Sequence, residues 1–193
     1  MQGFFLQAPL FMAFFVPAIT MGLVSEEKRS GTLEMLMTLP VRDGEVILGK
    51  FLAAMTLIAV VLAATFAYPI MIGRLAGQSG VSLDWGPVLG GYIGLLLLGA
   101  AYAGIGVMVS SWHRDQVNSI LISFFLCFLL YVLGPMSEQV TGWLGDLLSW
   151  LSTDGHFKNI ARGVLDVRDF LYYVSVAAVG LTIATVTLSS RRW

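Results

Sequence analysis

The chain has 193 residues, 57% of them hydrophobic and 12% charged, with a net charge of −1 and a mean hydropathy of +0.82. Soluble domains carry roughly 25% charged residues, so this composition excludes an ordinary water-soluble fold. Dispersed basic residues argue against nucleic acid as a partner, and the single cysteine, Cys127, excludes an intrachain disulfide and reads as a small packing residue.

Charge is missing from five long blocks: residues 1–25, 51–73, 85–113, 116–137 and 170–190. Each is close to the roughly 20 apolar residues that cross a bilayer. A helix over 51–73 reaches about 34 Å at about 1.5 Å per residue. Five spanning helices in one bundle follow.

The first span covers about residues 4–24 and contains Pro9 and Pro17. Pro17 is internal and removes a backbone donor, so a kink is expected there. A hinge and a plain packing kink fit it equally. Residues 25–50 then form the densest charge cluster of the chain, beginning with Glu26, Glu27, Lys28 and Arg29. Gly31 permits a sharp turn. A short helical run follows, with Leu33, Leu36 and Met37 on one side and Glu34 on another. This is the pattern of an inner loop that takes force from a separate motor. The plainer reading is a solvated charge cluster beside the membrane.

The second span runs from about 43 to 72, with Asp43 as its N-cap and Glu45 at the positive end of the helix dipole. Its start also matches the phosphate-loop pattern G-x-x-x-x-G-K from Gly44 to Lys50. Phe51 stands where a hydroxyl should bind magnesium, and Glu45 would repel phosphate, so nucleotide binding is not expected. A short outer loop over 73–86 ends at Trp85, an interfacial aromatic. The third span, about 87–110, carries the small-xxx-small pairs Gly90/Gly94, Gly99/Ala103 and Ala100/Gly104. Such pairs let helix backbones approach closely, within the chain or across a dimer seam.

Residues 111–116 make a short inner turn with His113, Arg114 and Asp115. The fourth span, about 117–133, stops at Gly134-Pro135. In the outer loop over 135–168, Val140, Trp143, Leu144, Leu147, Leu148 and Leu151 share one helical face, with Glu138, Gly142, Gly145, Asp146 and Ser149 on the other. After a break at 152–155, Phe157, Ile160, Ala161, Val164 and Leu165 repeat the pattern. Both runs are too short to span. They read as amphipathic helices lying at the interface or dipping into the bundle, as a cap or as a gate. The last span is about 170–188, with Tyr172 and Tyr173 at one end and Arg191, Arg192 and Trp193 at the other.

Loop charge sets the orientation. With 25–50 inside, seven Lys or Arg residues face the cytoplasm (Lys28, Arg29, Arg42, Lys50, Arg114, Arg191, Arg192) and four face outward (Arg74, Lys158, Arg162, Arg168). The carboxyl end is then cytoplasmic and the amino end outside. His113 and His156 fall on opposite sides and cannot share a metal. Gly77-Gln-Ser79-Gly80 lacks the last glycine of a nucleophile turn. No acidic residue falls within the five charge-free blocks, which argues against a proton-relay pump. The residues therefore point to no catalytic residue, no metal site and no cofactor. Energy for any transport must come from elsewhere.

Glu26 to Glu34, followed by Leu39-Pro40-Val41 and Leu48-Gly49-Lys50, resembles the inner loop of ABC-2 type transporter permeases. His156-Phe157, the run Arg162 to Asp166, Arg168-Asp169, Tyr172-Tyr173 and the closing Ser190-Arg191-Arg192-Trp193 are similar to the gliding-motility-associated branch. The resemblance covers nearly the whole chain. It implies an all-α integral membrane fold, with five transmembrane helices here, a cytoplasmic coupling helix and two amphipathic outer helices. It also implies a bacterial inner-membrane permease subunit, an exporter that pairs with two ABC ATPase subunits and a second permease copy or homologue in the lipid bilayer. Carried over by position, Glu26, Glu27, Lys28, Arg29, Gly31, Thr32 and Glu34 form the entry to the coupling helix and its ATPase contacts, with Leu33, Leu36 and Met37 filling a hydrophobic cleft on the partner. Trp143, His156, Phe157, Arg162 and Asp166 mark the outer loop. Six spans are usual in that family, so five imply a chain lacking its first helix. A structural or assembly membrane protein without transport is the competing reading.

Overall fold

The computed structural model describes residues 2–37, 41–78, 84–137, 139–140, 142–163 and 166–190. Leu39, Pro40, Ser79, Gly80, Glu138, Val164, Leu165 and residues 191–193 lie outside the described residues, as do the side chains of Glu34, Leu36 and Met37.

The described residues form ten helices: α1 (Gln2–Thr20), α2 (Gly22–Ser30), α3 (Thr32–Met37), α4 (Asp43–Thr65), α5 (Ala67–Gln78), α6 (Trp85–Trp112), α7 (Gln116–Ser137), α8 (Trp143–Leu151), α9 (Thr153–Ala161) and α10 (Val167–Ser189). Five helical runs are long and apolar enough to cross a membrane: Gly3–Ser30, Asp43–Leu75, Trp85–Trp112, Gln116–Ser137 and Val167–Ser189. The first run is longer than the sequence pattern suggests, because helix continues through the charged residues Glu26 to Arg29.

α6 is the centre of the bundle. In its most apolar window 72% of residues are buried, against 22–44% in the other four spans. Its glycines are spaced so that α1, α4, α9 and α10 each meet at least one of them. A Cβ on Gly91 would lie 2.3 Å from the Phe5 ring of α1, and one on Gly99 would lie 3.1 Å from Ile58 of α4. Gly90 and Gly94 receive α9 through the Ile160 carbonyl and the Phe157 ring. Gly104 faces the backbone of Ala177, and Gly180 of α10 faces Gly104 in turn, at 2.5 Å from a built Cβ to the carbonyl oxygen. The small-residue pairs thus pack helices within the chain.

The start of α4 and the end of α7 also differ from the sequence pattern. Arg42, not Asp43, precedes the first turn of α4; its N–H donates to Glu45 Oε2 at 3.2 Å, and Asp43 and Glu45 both lie in that turn. α7 passes through Gly134 and Pro135 to Ser137, whose Oγ donates to Gly134 O at 2.7 Å. Packing against α8 and α9 outweighs the local stop signal there: a Cβ on Gly134 would meet Ser152 Oγ at 2.7 Å.

Candidate functional site

The end of the bundle that holds Lys50 is built on a break in the first helical run. Pro17 has no N–H to give, and four residues later the helix is interrupted at Met21. Met21 N still donates to Pro17 O at 2.9 Å. Beyond it, Ser110 of α6 supplies what the ladder lacks. Its Oγ accepts from Val24 N and Ser25 N, both at 3.1 Å, and donates to Met21 O at 2.9 Å. Met21 O also accepts from Ser25 Oγ. Ser110 therefore ties the start of α2 to α6, and the two buried hydroxyls together serve backbone groups that are costly to bury unpaired.

α2 carries the predicted charged residues, and three of the four turn toward the chain itself. Glu26 Oε2 accepts from Gln116 Nε2 of α7 at 2.6 Å. Glu27 Oε1 pairs with Lys50 Nζ of α4 at 2.5 Å, and Lys50 also donates to Leu23 O. Lys28 donates to Ser111 O at the end of α6. Arg29 is exposed. Glu26, Glu27 and Lys28 thus set the position of α2 on three spans. The Gly44 to Lys50 pattern lies within α4 as regular helix, and its lysine is engaged by Glu27, so it forms no loop around a phosphate.

Gly31 ends α2 with φ of 75°, the left-handed conformation that glycine adopts at no steric cost. The chain then turns into α3. Leu33 is buried with Val24, Ile47, Val107, Ala184 and Leu188, a small second core drawn from α2, α4, α6 and α10. Leu33 therefore roots α3 in its own bundle, where the sequence pattern had it filling a partner's cleft. Thr32 is exposed and its Oγ1 lies 2.8 Å from Ser30 Oγ. Met35, at 76% exposure, is a large apolar side chain that α3 shows outward among its described side chains.

The opposite end is polar and largely buried. α9 dips into the bundle, burying Thr153, Asp154, Phe157 and Ile160. Asp154 is held by Lys158 at 2.9 Å. His156 Nδ1 lies 2.6 Å from Asp169 Oδ1, and Nε2 lies 3.1 Å from Trp150 O. The imidazole stacks on Tyr172, with ring centroids 4.3 Å apart. Tyr173 OH donates to Thr153 O at 2.7 Å, and Tyr102 OH lies 3.0 Å from Thr153 Oγ1. Asp166 caps α10 by accepting from Arg168 N at 3.0 Å, and Arg162 is exposed at the end of α9. α8 is the reverse of a buried helix: Gly145 faces the protein while Trp143, Leu147 and Trp150 face away.

This end corrects one reading of the sequence. Asp169 sits in the first turn of the last spanning helix and is 3% exposed, so a buried carboxylate does lie within a spanning run, as the less buried Glu26, Glu27, Asp43 and Glu45 do at the ends of theirs. Starting that span at Phe170 had left it outside. Sequence reasoning also passed over Ser110, Gln116, Tyr102 and Asp154. The doublet Ser110-Ser111 closing a glycine-rich apolar run was the one available signal for the first.

Between α1 and α4 a groove of about 190 Å³ is lined by Phe4, Phe11, Phe15, Val61 and Leu62 among others, with Thr65 its one polar residue. That is below the roughly 300 Å³ where ligand pockets begin. A family model described as ABC-2 family transporter protein matches residues 5–192. No curated protein matches the chain.

Proposed function

We propose a role from the premise that this chain belongs to the ABC-2 transporter family: it is the permease subunit of an ABC transporter, coupled to a separate ATPase through α2 and α3. The membrane component of such a transporter is not itself catalytic, so hydrolysis resides in the partner. The observation that carries the coupling is the seat of α3. A short helix with an outward methionine is rooted through Leu33 in a core shared with α2, α4, α6 and α10. A push on α3 reaches those elements at once, because packed side chains of this kind have little compressibility. Glu26, Glu27 and Lys28 position the lever, and Arg29, Thr32 and Met35 supply its exposed side, with Glu34, Leu36 and Met37 on the same short segment.

The Lys50 end faces the cytoplasm in this reading, which follows the excess of loop Lys and Arg on that side. The protein resides in a bacterial inner membrane and works as an exporter of the gliding-motility-associated branch. The small volume of the groove between α1 and α4 supports a cargo route completed by a second permease copy or homologue. At the His156 end, α8 lies in the headgroup layer, its Trp143 and Trp150 toward lipid and Asp146 toward water.

The test is co-expression with an ABC ATPase from the same gene neighbourhood, followed by co-purification and ATPase assays in lipid nanodiscs. Binding of the ATPase, abolished by Arg29→Glu with Met35→Glu while the permease stays folded, is the expected result. A folded permease that neither binds nor alters that ATPase sinks the reading.

A further inference from the structure

His156 stands where three elements meet, and its two ring nitrogens both face acceptors. Nε2 faces the carbonyl oxygen of Trp150, in the last turn of α8, which has no proton to give, so Nε2 carries one. Nδ1 faces Asp169 Oδ1 at 2.6 Å, a distance that requires a proton between them whichever atom holds it. The pair is therefore held together by a proton that neither group keeps when both are deprotonated. It is also buried: the side chains are 15% and 5% exposed, and Asp169 Oδ2 is buried without a hydrogen-bond partner.

We propose that His156 is a proton-operated latch that holds the carboxyl end of α8 against α9 and α10. The latch is closed while the His156–Asp169 pair shares its proton and released when that proton leaves. Removal of the proton turns a neutral pair into a buried net negative charge. Lys158 of α9 is already paired with Asp154, and the side chains of Arg162 and Arg168 are exposed. The phenols around the pair are Tyr172 and Tyr173 from α10, Tyr102 from α6 through Thr153, and Tyr131 from α7 within electrostatic range of Asp154 and Lys158, and the charged Asp166 and Arg168 flank Asp169 in the chain. Asp146, the charged residue of α8, is exposed. The imidazole must then leave either Trp150 O or Asp169 without a donor. A cation at the carboxyl end of α8 also suits the negative end of its dipole, and that benefit goes with the charge.

The moving part is α8. α9 keeps its own anchors, Phe157 and Ile160 against the α6 glycines and Thr153 against Tyr102 and Tyr173. α8 keeps one further tie at this corner, Tyr172 OH to Leu151 O at 2.6 Å.

The experiment is hydrogen exchange of the full chain in lipid nanodiscs at a series of pH values from about 5 to about 8, corrected for intrinsic exchange rates. Amide protection across α8 is expected to fall about tenfold as pH rises, the scale of one lost charge-assisted hydrogen bond, while α9 peptides around Phe157 hold theirs. His156→Gln should leave α8 weakly protected at every pH. Tyr172→Phe should lower protection throughout but keep the pH dependence. Protection of α8 that ignores pH in the native chain overturns the latch, and so does a folded His156→Gln protein that keeps the native pH response. Should His156→Gln fail to fold, the native chain and Tyr172→Phe decide between the same two results. None of this depends on the ATPase or on cargo.

Discussion

Glu27 Oε1 lies 2.5 Å from Lys50 Nζ, joining the last turns of the first membrane run to the first turns of the second. The lysine side chain is 16% exposed and the glutamate 32%, and Glu27 Oε2 is buried without a partner. Lys50→Met therefore strands a partly buried carboxylate. Thermal unfolding in detergent should show a loss of about 1–3 kcal/mol, less than for a fully buried pair. The exchange Glu27→Lys with Lys50→Glu should recover part of it.

Ser110 offers a sharper test of the helix break. Its hydroxyl serves three backbone groups around Met21. Ser110→Ala removes all three bonds with little change of volume. A stability loss of about 1–3 kcal/mol is expected, with faster hydrogen exchange confined to α2 and the turn before it. Uniform exchange across the bundle would show that the hydroxyl is only one packing contact among many.

Glycines in one protein should answer differently to the same methyl group. Gly180→Ala brings a Cβ to 2.5 Å from the Gly104 carbonyl, whereas nothing lies within 4 Å of a Cβ on Gly49. Gly180→Ala should destabilise by about 1–3 kcal/mol or more through overpacking. Gly49→Ala should be neutral or stabilise by about 0.5–1 kcal/mol, from helix propensity alone. Melting temperatures of the two purified variants decide this.

On α3, burial separates rooting from docking. Leu33→Ala should cost about 2–5 kcal/mol of stability, the usual range for a core leucine. Met35→Ala should leave the melting temperature unchanged and weaken ATPase binding. Equal effects on stability from both would remove the distinction on which the coupling proposal depends.

Trp143 and Trp150 are 74% and 66% exposed on the outward face of α8. In vesicles containing brominated lipids, both should be quenched most strongly by bromines near the headgroup and weakly by those at the chain ends. Replacing both with phenylalanine isolates their share of the signal from the other tryptophans. Quenching by an aqueous reagent alone would take α8 out of the interface.

Much of the architecture was legible because membrane spans are written in composition. Charge-free blocks of span length predict spanning helices with few alternatives, and the small-residue pairs on residues 87–110 announce a crowded central helix. The charged stretch after the first span was visible for the same reason. Which way its side chains point was not. Glu26 and Glu27 find Gln116 and Lys50 only because the fold returns α7 and α4 to the end of α2, and no local pattern encodes those meetings. Asp169 was hidden differently. One helical turn of error at the start of α10 is enough to move a carboxylate from a loop into the bundle, and helix ends are the least certain feature of any sequence pattern. Leu33 and Met35 sit two residues apart on a six-residue helix, too short for periodicity to say which would be buried.

The glycine-by-glycine contacts of α6 also limit how the bundle can rearrange. At Gly90, Gly104 and Gly180 the neighbour that fills the gap is backbone, not a side chain that can fold away. Helices already touching at that depth have no room to compress. Drawing them apart would open voids along the whole crossing, at a cost that grows with cavity volume. The inexpensive motions left are sliding along the contact and turning about it. α6 therefore acts as an axle, and opening on either side of the membrane has to proceed by rotation or translation around it, not by spreading of its neighbours.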